Sequence, residues 1–180
     1  WKISAYSKGT TGVTVLKIPV GARPVSLGGA YVAVSDDIYA IEYNPAGIID
    51  VNNHTITILG NLYLLDTKKS YIGYIYPDFK DIKIGISSNL FYANDTIRIS
   101  QWSSEDKGVF SIYDSITNLS LAKRFFEKFA LGVNLKYIHQ SINNVSARSI
   151  GFDAGGLYQY NKELNLGISI RNLGIKLKEF

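Results

Sequence analysis

Phe129-Ala-Leu-Gly-Val-Asn-Leu-Lys-Tyr137 sets Phe, Leu, Val, Leu and Tyr on its odd positions and Ala, Gly, Asn and Lys on its even ones. Successive side chains of a strand point to opposite faces, so this period of two predicts a strand with one large apolar face and one small or polar face. The same alternation extends both ways along the chain. Leu164, Leu166, Ile168 and Ile170 oppose Glu163, Asn165, Gly167, Ser169 and Arg171, while Ile82, Ile84 and Ile86 oppose Lys83, Gly85 and Ser87. Ile56 and Ile58 oppose Thr55 and Thr57. Turn formers separate the runs at Asp66-Thr-Lys-Lys69, Pro77-Asp-Phe-Lys-Asp81, Phe126-Glu-Lys128, Ser141-Ile-Asn-Asn144 and Asn161-Lys-Glu163. Residues 51–180 therefore read as an all-β, antiparallel meander of about seven or eight strands. Most span about 8 to 13 residues, longer than the ~5–6 usual in soluble sheets and suited to tilted bilayer crossings. Residues 93–112 are the least regular, with Trp102 to Gly108 reading as an exposed loop.

Residues 1–50 do not share this period. Gly21-Ala-Arg-Pro-Val-Ser-Leu-Gly-Gly-Ala30 is followed by Ser35-Asp-Asp37 and closed by Asn44-Pro-Ala-Gly47. Glycines 21, 28, 29 and 47 admit positive φ or close backbone approach, and Pro24 and Pro45 push the residue before them out of the helical region. Backbone of this kind is usually packed against something. Thr11 to Ile18 reads as extended, Ser26 to Val34 as a short small-residue helix, and Ile38 to Tyr43 as another helical turn capped by Ser35, Asp36 or Asp37. With no Gly/Ser linker between them, this segment and the strands are expected to form one body.

Composition narrows the function classes. The 180 residues carry a net charge of +4, but the 19 Lys and Arg are scattered singly or in pairs such as Lys68-Lys69, which argues against a nucleic-acid stripe. Cysteine is absent, removing disulfides and thiolate chemistry. Methionine is absent too, so the chain is expected to begin after a removed or omitted leader. No apolar run approaches the roughly 20 residues of a membrane-spanning helix, while a barrel stays open. Of 13 tyrosines, Tyr71, Tyr76, Tyr92, Tyr113, Tyr137, Tyr158 and Tyr160 fall near strand ends, as in interfacial girdles, although tyrosine is common in strands generally.

Motifs for chemistry are missing. Gly21 to Gly29 has neither the dinucleotide fingerprint nor a P-loop. Asp36, Asp37 and Glu42 lack the alternating oxygen ligands of a calcium loop, and His54 and His139 lack zinc-site spacing. There is no Gly-x-Ser-x-Gly elbow. No enzyme activity, cofactor or metal is expected. The other polar signal is the set Lys83, Asn134, Lys136, Asp153, Glu163 and Arg171 on the small-residue face. In a barrel these face the lumen, where they stay hydrated or pair with an inserted segment; in a soluble sandwich they form the solvated face, and alternation alone does not separate the two.

Leu16-Lys-Ile-Pro-Val-Gly-Ala-Arg-Pro-Val-Ser-Leu-Gly-Gly-Ala-Tyr-Val-Ala-Val-Ser-Asp-Asp37 and Tyr43-Asn-Pro-Ala-Gly-Ile48 resemble the PorV/PorQ family, within the wider FadL-like outer-membrane proteins. Tyr113-Asp114, Leu121-Ala-Lys-Arg124, Gly132 to Ile138, Gly151 to Tyr158 and Ile170-Arg-Asn-Leu-Gly174 are similar to family strand segments. The resemblance implies a barrel of about 14 antiparallel strands in the bacterial outer membrane. Its hatch motif would comprise Gly21, Ala22, Arg23, Pro24, Gly28, Gly29, Ala30, Asp36, Asp37, Asn44, Pro45, Ala46 and Gly47. A barrel of about eight strands is filled by its own side chains, so residues 51–180 are expected to be only the N-terminal half of the wall. The implied function is binding or passage of small hydrophobic compounds, gated by the hatch, with outer-membrane lipid around the wall. Two alternatives stay open: a component of type IX secretion that meets cargo or machinery proteins, and a soluble β-sandwich binding module.

Overall fold

The alternating runs form seven strands: β1 (Thr55–Leu62), β2 (Lys68–Phe79), β3 (Ile82–Thr96), β4 (Val109–Phe125), β5 (Phe129–Ile142), β6 (Val145–Gln159) and β7 (Asn165–Lys178). They are seen in a computed structural model that describes residues 14–62, 67–79, 81–96, 109–142 and 145–178. The strands lie side by side in chain order as one antiparallel sheet. β1 and β7 are its two edges, so the sheet is not closed into a barrel, and its seven strands agree with the seven or eight expected of residues 51–180. β3 to β6 run to 14–17 residues, longer than the turn signals suggested. The expected loop at Trp102 to Gly108 lies outside the described residues, as do residues 11–13.

The large apolar side chains of this sheet lie on its exposed face and the small and polar ones on its buried face. On β5 the buried positions are Ala130, Gly132, Asn134, Lys136 and Ile138, while Phe129, Leu131, Val133, Leu135 and Tyr137 are exposed. On β4, Asp114, Ile116, Asn118, Ser120 and Ala122 are buried and Leu119 and Leu121 exposed. Neighbouring strands continue the outer face with Ile56, Ile58, Ile72, Ile86, Phe152, Ile168 and Ile170. The aromatic expectation divides accordingly. Tyr76, Tyr92, Tyr113, Tyr137, Tyr158 and Tyr160 are exposed, whereas Tyr71 is buried and lies 3.4 Å by its hydroxyl from the Ile38 carbonyl.

The N-terminal segment covers the small, polar face. It holds a 3-10 turn at Thr14–Lys17, helix α1 (Ala22–Ser26), helix α2 (Ala40–Tyr43) and a second 3-10 turn at Pro45–Asp50. Thr14–Lys17 corrects the expected extended run: its apolar side Val15 is buried against Ile116 and Ile138, so packing overrides β propensity. The helix expected at Ser26 to Val34 lies earlier. Pro24 is acceptable in the first turn of α1, and Gly28 and Gly29, at φ 61° and 81°, end the segment's helical path. α2 has no side-chain N-cap; Asp37 Oδ1 instead accepts from the Tyr39 amide at 2.9 Å, fixing the turn before it. Ile38, Ile41, Ala46, Ile48 and Ile49 of the segment pack with Ile75, Ala122, Ala130 and Leu157 of the sheet into the principal core. No helix among the described residues is long and apolar enough to cross a membrane.

Candidate functional site

The segment reaches the sheet because the sheet is thin where they meet. A Cβ on Gly132 would strike the Ala46 amide nitrogen and come within 2.6 Å of the Pro45 oxygen. One on Gly155 would strike the Asn44 side chain, and one on Gly167 would come within 2.6 Å of the Val32 oxygen. Asn44 is the pin. Its Nδ2 donates to the Val32 oxygen at 2.8 Å and to the Gly156 oxygen at 3.2 Å, and its Oδ1 accepts from the Ala46 amide at 3.2 Å. Pro45 holds Asn44 in extended backbone, φ −154°, and itself starts the 3-10 turn. Gly47 lies so close to Ser35 that any side chain there would strike its backbone. The Asn-Pro-Ala-Gly motif is thus explained by docking geometry.

Arg23, Asp36 and Asp37 form a second tie, within the segment. Arg23 Nη1 pairs with Asp36 and lies 3.1 Å from Asp37, and its guanidinium sits 5.4 Å from the Tyr31 ring centre. Tyr31 is fully buried and meets Tyr43 edge-on at 5.4 Å, while the Tyr43 hydroxyl donates to the Val20 oxygen at 3.0 Å. These contacts fold residues 20–43 back on themselves. Gly21, at φ 85°, makes the turn into α1 against the Tyr39 ring. Ala22 and Ala30 are exposed.

Polar side chains of the sheet converge beneath α2. Glu42 accepts from Ser87 Oγ at 2.9 Å, Asn89 Nδ2 at 3.0 Å and Asn118 Nδ2 at 2.7 Å. Asn134 donates to the Ile41 carbonyl at 3.1 Å and to Asp153 at 3.0 Å, and its Oδ1 accepts from Ser120 at 2.9 Å. Lys136 pairs with Asp153 at 2.7 Å with both side chains almost wholly enclosed. Between Phe152 and Ala154 the register with β7 shifts, so that Arg171 and Asn172 oppose Asp153 alone. Such a bulge re-aims side chains. Asn172, at φ 61°, donates its backbone N–H to Asp153 Oδ1 at 2.7 Å, and its Oδ1 accepts from Lys136 Nζ at 2.8 Å. Arg171 is thereby brought over the segment: its Nη1 donates to the Glu42 carbonyl at 3.2 Å and its guanidinium lies 5.5 Å from the Tyr43 ring centre.

Removing one member of a buried pair strands the other charge. Lys136→Met should cost about 3–5 kcal/mol in chemical unfolding, and Lys136→Met with Asp153→Asn should recover part of that loss. Equal destabilisation by the single and double variants would show that the pair is not the source.

A cavity of about 280 Å³ lies between segment and sheet. Val15, Leu16, Ile18, Phe91 and Ile116 give it an apolar side, and Lys17, Glu42, Lys69, Lys136 and Arg171 a charged one. Lys69 Nζ donates to the Ile18 and Pro19 carbonyls at 3.0 and 2.8 Å, tying this wall to the segment. Of the other polar positions singled out from sequence, Lys83 binds the Val51 carbonyl at 2.6 Å at the far end, and Glu163 stands apart, exposed in the bend before β7. Lys69, Ser87, Asn89, Asn118 and Ser120 were not among the site positions expected from sequence, although Ser87 stood on the small-residue face and alternation in Thr117-Asn-Leu-Ser-Leu-Ala122 carried the signal for the last two. Among the described residues no group of His, Asp and Glu side chains forms a metal site.

Comparison with family models gives one match, described as "Uncharacterised protein family (UPF0164)", over residues 3–162. It overturns the resemblance to the PorV/PorQ and FadL-like proteins drawn from the Leu16 to Ile48 motifs, whose glycines and Asn-Pro-Ala-Gly turn follow instead from docking a segment on a thin sheet. Neither curated proteins nor solved structures give a match.

Proposed function

The chain belongs to the Uncharacterised protein family (UPF0164), and from that starting point we propose that it forms part of the wall and the hatch of an outer-membrane β-barrel. In this reading the barrel binds or passes small hydrophobic compounds, without covalent chemistry. The observation that carries it is the inversion of the sheet. Large side chains such as Val133, at 55% exposure, and Ile168, at 69%, cover the outer face, while Asn118, Ser120, Asn134 and Lys136 lie inside beneath the segment. Soluble monomers rarely expose an apolar patch larger than a few hundred Å². A lipid-facing wall requires one, with polar residues turned toward the lumen. A soluble sandwich would place the same faces the other way round.

Strand length supports the reading. At ~3.4 Å per residue a 14-residue strand tilted by about 45° rises about 34 Å, enough for the apolar core of a bilayer. Further strands pairing with the edges β1 and β7 would complete the wall around a segment too large for a narrow barrel. The N-terminal segment, held by side-chain hydrogen bonds and small contacts, is suited to acting as the hatch, and the cavity with Val15, Leu16, Ile18, Phe91 and Ile116 on one side is suited to holding a small apolar compound. The bacterial outer membrane is the proposed location, with its lipid as the wall's partner. Liposomes containing the full-length protein should take up a labelled fatty acid above an empty-vesicle control; uptake no faster than the control overturns the passage reading.

A further inference from the structure

Glu42 stands in an unusual hydrogen-bond environment. Ser87 Oγ, Asn89 Nδ2 and Asn118 Nδ2 all donate to one of its oxygens, Oε1, and Asn118 Nδ2 also lies 2.9 Å from Ser87 Oγ. The other halves of the same two amides are unanswered: Asn89 Oδ1 and Asn118 Oδ1 are buried with no hydrogen-bond partner among the described residues. A buried acceptor left unpaired is destabilising, because it has given up its hydrogen bonds to water. An ionised carboxylate brings only acceptors to such a cluster, whereas a carboxylic acid brings one O–H donor.

The titratable and charged groups around Glu42 come from every neighbouring element. β2 supplies Lys69 and Tyr71, β5 Lys136, β6 Asp153 and β7 Arg171, while Lys17 lines the same cavity and β3 and β4 contribute the neutral Ser87, Asn89 and Asn118. Three of these cations direct hydrogen bonds to groups other than the Glu42 carboxyl. Lys69 binds the Ile18 and Pro19 carbonyls, Lys136 binds Asp153 and Asn172, and Arg171 reaches the backbone oxygen of Glu42. Burial pushes the Glu42 carboxyl above the usual range; Lys136 and the Ser87 hydrogen bond pull it back, and Asp153 adds to the rise.

We propose that Glu42 is held as a neutral carboxylic acid while the segment is docked, its proton directed to the Asn89 or Asn118 amide oxygen, and that its ionisation loosens the segment. The sign follows from linkage. Docking holds a proton that an undocked, hydrated Glu42, with an ordinary value of about 4.3, would release. Docking is therefore strongest below that value and weakens as pH rises through the raised one. The device concerns docking alone, so a barrel that failed to pass solute would leave it unaffected.

The test is protease sensitivity of residues 14–51 in the full-length protein in detergent, with wild type and Glu42→Gln measured side by side from about pH 4 to pH 9. Gln keeps the shape and offers a donor but cannot ionise. The two should be equally protected at the acid end, and wild type should then open relative to Glu42→Gln by up to about tenfold per pH unit. A constant ratio across the range, or a Glu42→Gln protein more sensitive at every pH, overturns the proposal. An infrared band of a protonated carboxyl, lost in Glu42→Gln, should be present in wild type at acid pH and fade over the same range. Absence of that band at the acid end also overturns it.

Discussion

Gly132→Val should leave the sheet standing and drive the N-terminal segment off it. Gly132 is the fourth residue of β5, paired with Ala122 and Gly155, in a place where a β-branched residue suits the strand itself. Its missing side chain is what the segment occupies. The atoms a Cβ would meet are backbone atoms of Pro45 and Ala46, and these cannot rotate away as a side-chain tip could. Overpacking commonly costs about 1–3 kcal/mol, and a backbone clash at the tightest point of a docked element should exceed that range. The expected result is wild-type strand content with rapid proteolysis of residues 14–51. Gly60→Val is the control, because nothing lies within 4 Å of a Cβ built there, and it should leave docking unchanged. A Gly132→Val protein as protected as wild type would show that the segment is held elsewhere.

Val133→Arg should have a comparably large effect on the opposite face. Val133 lies beside Gly132 but points outward, flanked along its strand by Leu131 and Leu135 and across by Leu121 and Ala154. If that surface meets lipid, an arginine near the bilayer midplane costs about 2–4 kcal/mol. If it meets water, an exposed substitution stays within about 0.5 kcal/mol. Unfolding of full-length protein from liposomes separates these ranges. Glu163→Arg, in the exposed bend before β7, should be near neutral under the same conditions.

How much of this the sequence disclosed depends on the range of the interactions concerned. The sheet was legible because alternation is local: the odd–even division of Phe129 to Tyr137 is the division between the exposed and buried sides of β5. Which side faces inward was not, since an apolar outer face and an apolar core give the same pattern. The Glu42 cluster was hidden for a different reason. Its donors lie 45, 47 and 76 residues away in sequence and meet only through the register of β3 with β4. Arg171 could be assigned to the inner face by alternation, but the bulge that aims it over Tyr43 rests on Asn172 in a left-handed conformation that no local signal marked. The misplaced helix was recoverable in principle: Gly28-Gly29 reads better as the end of a helix beginning near Pro24 than as its middle. The family resemblance failed because short glycine- and proline-bearing motifs report backbone geometry, which different families share.

The inversion of the sheet can be measured strand by strand. The sequence contains no cysteine, so single cysteines placed in turn at residues 130, 131 and 133–136 of β5 can each carry a nitroxide in liposome-embedded full-length protein. Relaxation by lipid-soluble oxygen should rise at positions 131, 133 and 135 and fall at 130, 134 and 136, with the water-soluble relaxant reaching neither set. Ready access of the water-soluble relaxant to positions 131, 133 and 135 would contradict a lipid-facing wall.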